Sequence, residues 1–295
     1  MTVNSVPTGR GQQEVAASAV TSPSSRTWSA RTIAIRCART GALIYVGMVA
    51  LVMVKADRLV FPAPRSDPNP LVEGARQLDL TASDGVPVHA LVFNSPSPDS
   101  PVVVQFHGNG EVVGSNQWIG VELQRLGLGA VLVEYRGYGR SVGYPPNELG
   151  LYADASAVMD RLHDSGISKA RTVLWGFSLG TGVAAEMASR GYADRLVLQA
   201  PFTSVPDVAA RVAPFLPVRW LLKQHFDTFS KADHITVPTL VIHGDADPVV
   251  PFDMGQTIAR AIPGARFVRV PDGGHEYDYG KGRWIFEQIA EFVQG

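Results

Sequence analysis

The chain has 295 residues, of which 45% are hydrophobic and 18% are charged, a composition that suits a globular domain with a large core. Its formal net charge of −1 does not favour a nucleic-acid partner. Cys37 is the only cysteine, so an intramolecular disulfide is excluded, and no Cys/His cluster of the sequence suggests a zinc site.

The N-terminal part divides into a polar and an apolar segment. Residues 1–35 are rich in small polar side chains and lack apolar periodicity, which predicts a disordered tail. Residues 41–54 form an uncharged apolar run with Arg36 and Arg39 before it and Lys55 after it. The run is shorter than the about 20 residues of a spanning helix, but flanking cations can snorkel and lengthen the span. We interpret residues 36–56 as a membrane anchor.

Two other interpretations of the apolar run remain open. A cleaved signal peptide would end earlier in the chain, and Val54-Lys55-Ala56 is a poor cleavage site. The run could also be a helix buried in a globular domain. This interpretation is disfavoured because prolines predict a linker at residues 57–70, shortly after the run. By the positive-inside rule, the arginines before the run predict that the N-terminus lies in the cytoplasm and the later residues lie outside. Cations that follow the run favour the opposite orientation. We interpret Cys37 as a thiol without a functional role rather than as an acylation site.

Residues 71–295 alternate between predicted strands and helices. An antiparallel hairpin comes first, with residues 77–82 and 86–93 flanking the turn signal Ser83-Asp84-Gly85. The pattern then predicts strands at 102–106, 130–135, 171–175, 195–199, 239–243 and 266–270, and helices near 112–126, 148–163, 183–189, 253–261 and 282–293. Continuous apolar strands separated by helices predict an α/β fold, a mostly parallel sheet with helices on both faces.

The alternation breaks at residues 201–237. This stretch is apolar and interrupted by prolines, and it follows the strand after the predicted 183–189 helix. We predict a short helical cap over the carboxyl ends of the strands, where ligands bind in such sheets.

The strand at 171–175 leads into Gly176-Phe177-Ser178-Leu179-Gly180, a G-x-S-x-G motif between a strand and a helix. A serine at such a turn is held in a strained conformation, and the glycines let strand and helix pass closely. The motif alone is weak, because glycine and serine are common in turns. The motif indicates a catalytic serine only if a base, an acid and donors for an oxyanion lie near it.

An acid and a base follow two later strands. Asp247 lies beyond the strand at 239–243 and His275 beyond the strand at 266–270, so both belong at the same sheet edge as Ser178. The imidazole of His275 would take the serine proton, and Asp247 would orient the ring. Asp245 would cap the same loop equally well, and Asp253 is predicted to cap the following helix.

Two main-chain N–H groups are predicted to hold a developing oxyanion, those of Leu179 and Asn109. Asn109 lies in His107-Gly108-Asn109-Gly110 after the strand at 102–106, where the glycines let the amides turn inward. We expect His107 to be structural. The other histidines are expected at the surface or in packing: His89, His163, His225, His234 and His243.

Two competing motifs fail. Gly137-Tyr138-Gly139 begins like a dinucleotide loop, but Val142 occupies the third glycine position. The spacing of His243, Asp245 and Asp247 is unspecific as a metal site. The sequence therefore predicts no metal and no cofactor.

Taken together, these segments resemble the α/β-hydrolase superfamily over residues 71–295, and more narrowly its Bem46-like group, which includes the ABHD13 and ABHD17 types. Glu134 stands where such proteins often have Asp. The segments that carry the resemblance are Arg58-Leu59-Val60-Phe61-Pro62, Phe106-His107-Gly108-Asn109, Tyr135-Arg136-Gly137-Tyr138-Gly139-Arg140-Ser141, Gly176-Phe177-Ser178-Leu179-Gly180, Ala200-Pro201-Phe202-Thr203-Ser204, His243-Gly244-Asp245-Ala246-Asp247 and Gly274-His275.

The resemblance implies a serine hydrolase that cleaves esters or thioesters through an acyl-enzyme. Some relatives remove palmitate from proteins, but the Cys-rich N-terminus associated with them is absent here. The apolar cap predicts a hydrophobic acyl group and a lipid-like or other small-molecule substrate. A serine peptidase of the prolyl-oligopeptidase type and a non-catalytic, membrane-tethered binding module are the alternatives. The oligomeric state does not follow from the sequence.

Overall fold

The computed structural model describes residues 1–2, 28–64, 69–276 and 279–295, without the side chains of residues 279–282. The chain forms two compact units, residues 1–47 and residues 48–295. In the first unit, the guanidinium of Arg36 lies 3.4 Å from the ring centroid of Trp28. Most of the predicted disordered tail, residues 3–27, lies outside the described residues.

The first helix, α1 (Ala30–Val60), is longer than the predicted anchor at both ends. It has 31 residues, and an 18-residue stretch of it has a mean hydropathy of 1.8 with no buried residue. Length and composition therefore suffice to cross a membrane. Residues 30–35 are helical, so the tail predicted for residues 1–35 is wrong over this part.

The end of α1 belongs to the folded body of the second unit. Ala56, Val60 and Phe61 are buried, and the rings of Phe61 and Phe226 meet edge to face at 6.0 Å. The linker predicted for residues 57–70 is therefore wrong over residues 57–61, because apolar side chains there enter the core. Residues 65–68 of that segment lie outside the described residues.

Eight strands form one sheet in the order β1-β2-β4-β3-β5-β6-β7-β8. The β1·β2 and β2·β4 pairs are antiparallel and the remaining pairs are parallel. The predicted α/β fold, with its antiparallel hairpin at the start, is confirmed. The strands are β1 (Ala75–Thr81), β2 (Pro87–Phe93), β3 (Val102–Phe106), β4 (Gly129–Val133), β5 (Thr172–Phe177), β6 (Arg195–Gln199), β7 (Thr239–Gly244) and β8 (Arg266–Val270).

Helices cover both faces of the sheet, because its central strands are apolar on both sides. One core lies under the helices α3, α4 and α7 and includes the end of α1, and a second core lies under α2 and α8. The helices after α1 are α2 (Gln117–Arg125), α3 (Glu148–Asp164), α4 (Leu179–Ser189), α5 (Val205–Val212), α6 (Val218–Leu221), α7 (Phe252–Ala261) and α8 (Tyr279–Gln294).

The predicted starts of α2, α4, α7 and α8 differ from the structure. Residues 112–116 form turns, in which the Val113 N–H donates to the Glu134 carboxylate at 3.3 Å, so α2 begins only at Gln117. Pro251 occupies the N-cap of α7, and Asp253 lies in the first turn instead. The predicted capping role of Asp253 is therefore wrong. Its carboxylate pairs with Arg211 at 2.5 Å.

Residues 201–237 form a helical insertion, as predicted, with α5, α6 and a 3₁₀ helix at Phe229–His234. Several large apolar side chains of this cap face solvent, however. Val212, Phe215 and Trp220 are 78%, 61% and 91% exposed. These three side chains are therefore not part of an enclosed apolar pocket.

Candidate active site

Ser178 stands at the sharp turn between β5 and α4. Its φ is 50° and its ψ is −117°, in the positive-φ region that costs a non-glycine residue free energy. A Cβ on Gly180 would meet the carbonyl oxygen of Phe106, and a Cβ on Gly176 would meet that of Gly180. Glycine at both positions lets the strand and the helix approach closely enough to hold this turn.

His275 joins Ser178 to Asp247. Its Nε2 lies 2.9 Å from the Ser178 hydroxyl oxygen, and its Nδ1 lies 2.8 Å from Asp247 Oδ2. With the proton on Nδ1 donated to the carboxylate, Nε2 is free to accept the serine proton. The structure thus brings together the three residues that the sequence singled out from three different strand ends.

Asp247 is buried but well supplied with donors. Its side chain is fully buried, and its Oδ1 accepts the N–H groups of Val249 at 2.8 Å and Val250 at 2.9 Å. Burial by itself would raise the pKa of Asp247, but hydrogen bonds from His243, His275 and the Val250 N–H hold this pKa well below its ordinary value. Asp247 is therefore ionised whenever the protein is folded at neutral pH.

His243 is a member of the site that sequence reasoning missed. Its fully buried Nε2 lies 3.3 Å from Asp247 Oδ2 and 3.1 Å from the carbonyl oxygen of Val250. Among the described residues its Nδ1 has no partner, so the proton belongs on Nε2, where two acceptors meet it. His243 is the next-to-last residue of β7, four residues before Asp247, and this spacing was the only indication of the contact in the sequence.

Asp245 has a role separate from that of Asp247. It pairs with Arg269 and accepts the N–H of Asp272 at 2.7 Å. These contacts fix the turn after β8 that leads to His275, so Asp245 shapes the loop rather than contacting the imidazole.

The loop after β3, residues 107–110, is the proposed oxyanion loop. It passes beside the serine turn, since a Cβ on Gly108 would lie 3.0 Å from the ring of Phe177. The Gly108 N–H donates to the Glu111 carboxylate at 2.7 Å, whereas no hydrogen bond joins the main-chain N–H of Asn109 or Leu179 to another described residue. Leu179 is the first residue of α4, where the helix dipole favours negative charge. The side-chain amide of Asn109 instead donates to the Val60 carbonyl oxygen at 3.0 Å.

His107 packs beneath the proposed oxyanion loop and contacts its backbone, which agrees with the structural role expected from the sequence. The fully buried ring lies 2.8 Å from the carbonyl oxygen of Gly108 and 3.1 Å from Glu134 Oε1. Burial would lower the pKa of His107, but the Glu134 carboxylate beside it raises that pKa above its ordinary value. The other histidines make local contacts, such as that of His89 with Asp79 at 2.7 Å.

Comparison with known proteins agrees with this architecture. Residues 97–230 match the family model described as serine aminopeptidase, S33, and residues 217–294 match the model of TAP-like protein. The fold is similar to that of the Pyrococcus furiosus esterase Pf2001, with a TM-score of 0.64, 18% identity and coverage of 79% of this chain and 98% of the esterase.

Three relatives in sequence carry the comparison further. The uncharacterized protein Rv2307c of Mycobacterium tuberculosis is 33% identical over 85% of this chain and 92% of its own length. The α/β hydrolase domain-containing protein WAV2 of Arabidopsis thaliana is 30% identical over 66% of this chain and 70% of its own. The lysophosphatidylserine lipase ABHD12 of Rattus norvegicus is 32% identical over 57% and 47%. The narrower Bem46-like assignment stays a prediction, and the chain belongs to the α/β-hydrolase superfamily.

Proposed function

We propose that this hydrolase is a serine enzyme that cleaves carboxylic esters or thioesters with a hydrophobic acyl group. The observation that carries the proposal is the hydrogen-bonded series from Asp247 through His275 to Ser178. Such a series activates a hydroxyl that is otherwise a weak nucleophile at neutral pH.

In the acylation step, Ser178 Oγ attacks the acyl carbonyl carbon while His275 Nε2 takes the hydroxyl proton. The carbonyl oxygen becomes an oxyanion, which the N–H groups of Leu179 and Asn109 hold. Such a donor contributes about 3 kcal/mol to the transition state. The C–O or C–S bond to the leaving group then breaks, and His275 passes its proton to the departing oxygen or sulfur.

In the deacylation step, water takes the place of the leaving group. His275 removes a proton from the water as it attacks the acyl-Ser178 ester, and returns that proton to Ser178 Oγ when the carboxylic acid leaves. Asp247, ionised throughout, stabilises the imidazolium in both steps. No step requires a cofactor.

The choice of esters and thioesters draws on the relatives. The rat relative is named a lysophosphatidylserine lipase, and the fold neighbour of Pyrococcus furiosus is an esterase. The second candidate is amide hydrolysis, since the family model over residues 97–230 is described as serine aminopeptidase, S33. Hydrolysis of p-nitrophenyl acyl esters compared with that of aminoacyl p-nitroanilides separates the two.

The proposal is tested by substitution of the nucleophile. Ser178→Ala should abolish hydrolysis of p-nitrophenyl esters and labelling by a fluorophosphonate, whereas Ser189→Ala, at the far end of α4, should change neither. If the wild-type protein reacts with neither reagent, the proposal is refuted and a non-catalytic binding module is supported instead.

We also propose that α1 anchors the protein in a membrane, with the N-terminus in the cytoplasm and residues 71–295 outside. Cys37 is exposed near the start of α1 and is the only cysteine, so it reports the orientation without mutagenesis. A membrane-impermeant maleimide should label Cys37 only after the cells are permeabilised. Release of the protein by alkaline carbonate would contradict the anchor, and labelling of intact cells would contradict the orientation.

A further inference from the structure

A large cavity opens beside the proposed active site, on the face of the sheet covered by α2 and α8. Its volume is about 860 Å³, within the usual range of ligand pockets. Gln105 and Trp175 of the sheet, Ile119 of α2 and Phe286 of α8 are among its lining residues. We call it the α2/α8 cavity. The cap packs elsewhere, with its 3₁₀ helix against α4 and α7.

The α2/α8 cavity lies next to three of the residues of the proposed machinery. Its lining includes Phe177, Gly110 and Glu276, which are the chain neighbours of Ser178, Asn109 and His275. The ring of Phe177 also lies 5.2 Å from that of His275. The cavity therefore begins one residue along the chain from Ser178, at Phe177.

The wall of the α2/α8 cavity suits an apolar chain with a polar group on it. Ile119, Trp175 and Phe286 are apolar and buried. Gln105 and Asn116 are 1% and 7% exposed, and both line the cavity. Among the described residues, Gln105 Oε1 and Asn116 Nδ2 have no hydrogen-bond partner. An unpaired buried acceptor or donor is costly, so these two atoms indicate a ligand that both donates and accepts.

The charges around the α2/α8 cavity disfavour an anion. Four carboxylates and two guanidinium groups are among the described lining residues, and both guanidinium groups are paired, Arg125 with Glu122 and Arg283 with Glu287. This leaves Glu111 and Glu276 in excess, next to the proposed oxyanion loop and to His275. A neutral chain is compatible with this excess, whereas an anionic group would be repelled.

We propose that the α2/α8 cavity, and not the cap, holds the acyl chain of the substrate, and that this chain is long, uncharged and hydroxylated. Hydroxyl groups can supply the donor that Gln105 Oε1 lacks and the acceptor that Asn116 Nδ2 lacks. The inference rests on the proposed function, because it places the chain that Ser178 would carry.

Photo-crosslinking tests the location directly on the full-length protein. The probe is a long-chain alkyl fluorophosphonate with a diazirine at the chain end, which first attaches to Ser178 and is then photolysed. Crosslinks on peptides that contain Ile119 or Phe286 are the expected result. Crosslinks on residues 201–237, or on any other surface, overturn the inference. Failure of the probe to attach to Ser178 contradicts the proposed function itself, so the two failures are distinguishable.

Substitutions provide a second test of the location. Ile119→Trp should fill part of the cavity and lower the ratio of kcat/KM for long-chain over short-chain esters at least tenfold. Trp118→Ala should widen the opening and raise that ratio. Trp220→Ala, on the cap, is the matched control and should leave it unchanged. The inference is contradicted if Trp220→Ala changes this ratio while Ile119→Trp and Trp118→Ala leave it unchanged.

Esters with a hydroxyl at successive chain positions test the chemistry of the ligand. Wild-type protein should favour at least one hydroxylated chain about fivefold over the plain chain of equal length, as expected for one net hydrogen bond. Gln105→Leu should remove that preference while still hydrolysing the plain ester. Equal rates for all chains in the wild type would refute the hydroxyl.

Discussion

The side-chain amide of Asn109 donates a hydrogen bond of 3.0 Å to the carbonyl oxygen of Val60, and so ties the proposed oxyanion loop to the last residue of α1. Two further contacts hold the end of this helix. Gln224 Nε2 donates to Asp57 Oδ1 at 3.1 Å, and Ala56 packs with Val218 and Leu222. The end of α1 is thus part of the support of the candidate active site.

Two N-terminal deletions should therefore behave differently. Removal of residues 2–47, which leaves the second compact unit whole, should keep kcat for a soluble ester within about twofold in detergent. Removal of residues 2–61 takes away the Val60 carbonyl and the buried Phe61 side chain, whose burial contributes about 2 kcal/mol. This longer deletion should lower both kcat and the thermal unfolding temperature. Equal activity of the two proteins would show that the Asn109 contact is irrelevant to the site.

His243 should act as a positioning residue for Asp247. His243→Phe keeps a ring in the buried space but removes the Nε2 donor, and a hydrogen bond to a charged group contributes about 1.5–3 kcal/mol. We expect kcat to fall roughly ten- to hundredfold with KM nearly unchanged.

His243→Gln, which retains an N–H donor, should recover part of the lost kcat. His234→Gln, at an exposed position, is the matched control. A fall in thermal stability alone, with normal kcat in the folded fraction, would assign His243 a purely structural role.

Gly180→Ala should be among the most damaging single substitutions in the chain. The added Cβ would meet the main-chain carbonyl groups of Phe106 and His107, neither of which can rotate away, so we expect a loss of about 3 kcal/mol or more in the free energy of unfolding. Gly47→Ala, where nothing lies within 4 Å of the added methyl, should not destabilise the protein. Denaturant unfolding of both variants measures the difference, and equal stability would argue against the tight turn.

The buried pair of His107 and Glu134 should make stability depend on pH. The pKa of His107 is raised in the folded protein, so its contribution is fully present below the ordinary histidine pKa of about 6.5. The contribution is lost as pH rises through the higher folded value. Urea unfolding of the wild type and of Glu134→Gln should therefore differ most at pH 5.5–6 and less at alkaline pH. Asp79→Asn, which alters the more exposed pair with His89, should have little effect. If the difference in unfolding free energy between the two proteins grows toward high pH, the pKa of His107 is not raised by Glu134.

The sequence determined the fold class and the residues of the candidate active site, because both are encoded locally. Apolar runs separated by helical segments specify a parallel sheet, and chain order then places the ends of β5, β7 and β8 along one edge. Ser178, Asp247 and His275 each follow one of those strands within a few residues, so their proximity was predictable without any side-chain geometry.

Only the tertiary structure decided which neighbours support the site. His243 looked like a packing histidine, because its spacing from Asp247 does not show that its Nε2 faces the same carboxylate as His275. Val60 looked like part of a linker, since its partner Asn109 lies 49 positions away. The direction of Trp220, outward from the cap, was equally hidden. Hydropathy shows that a side chain is apolar but not which surface it meets, because long-range packing settles that contact.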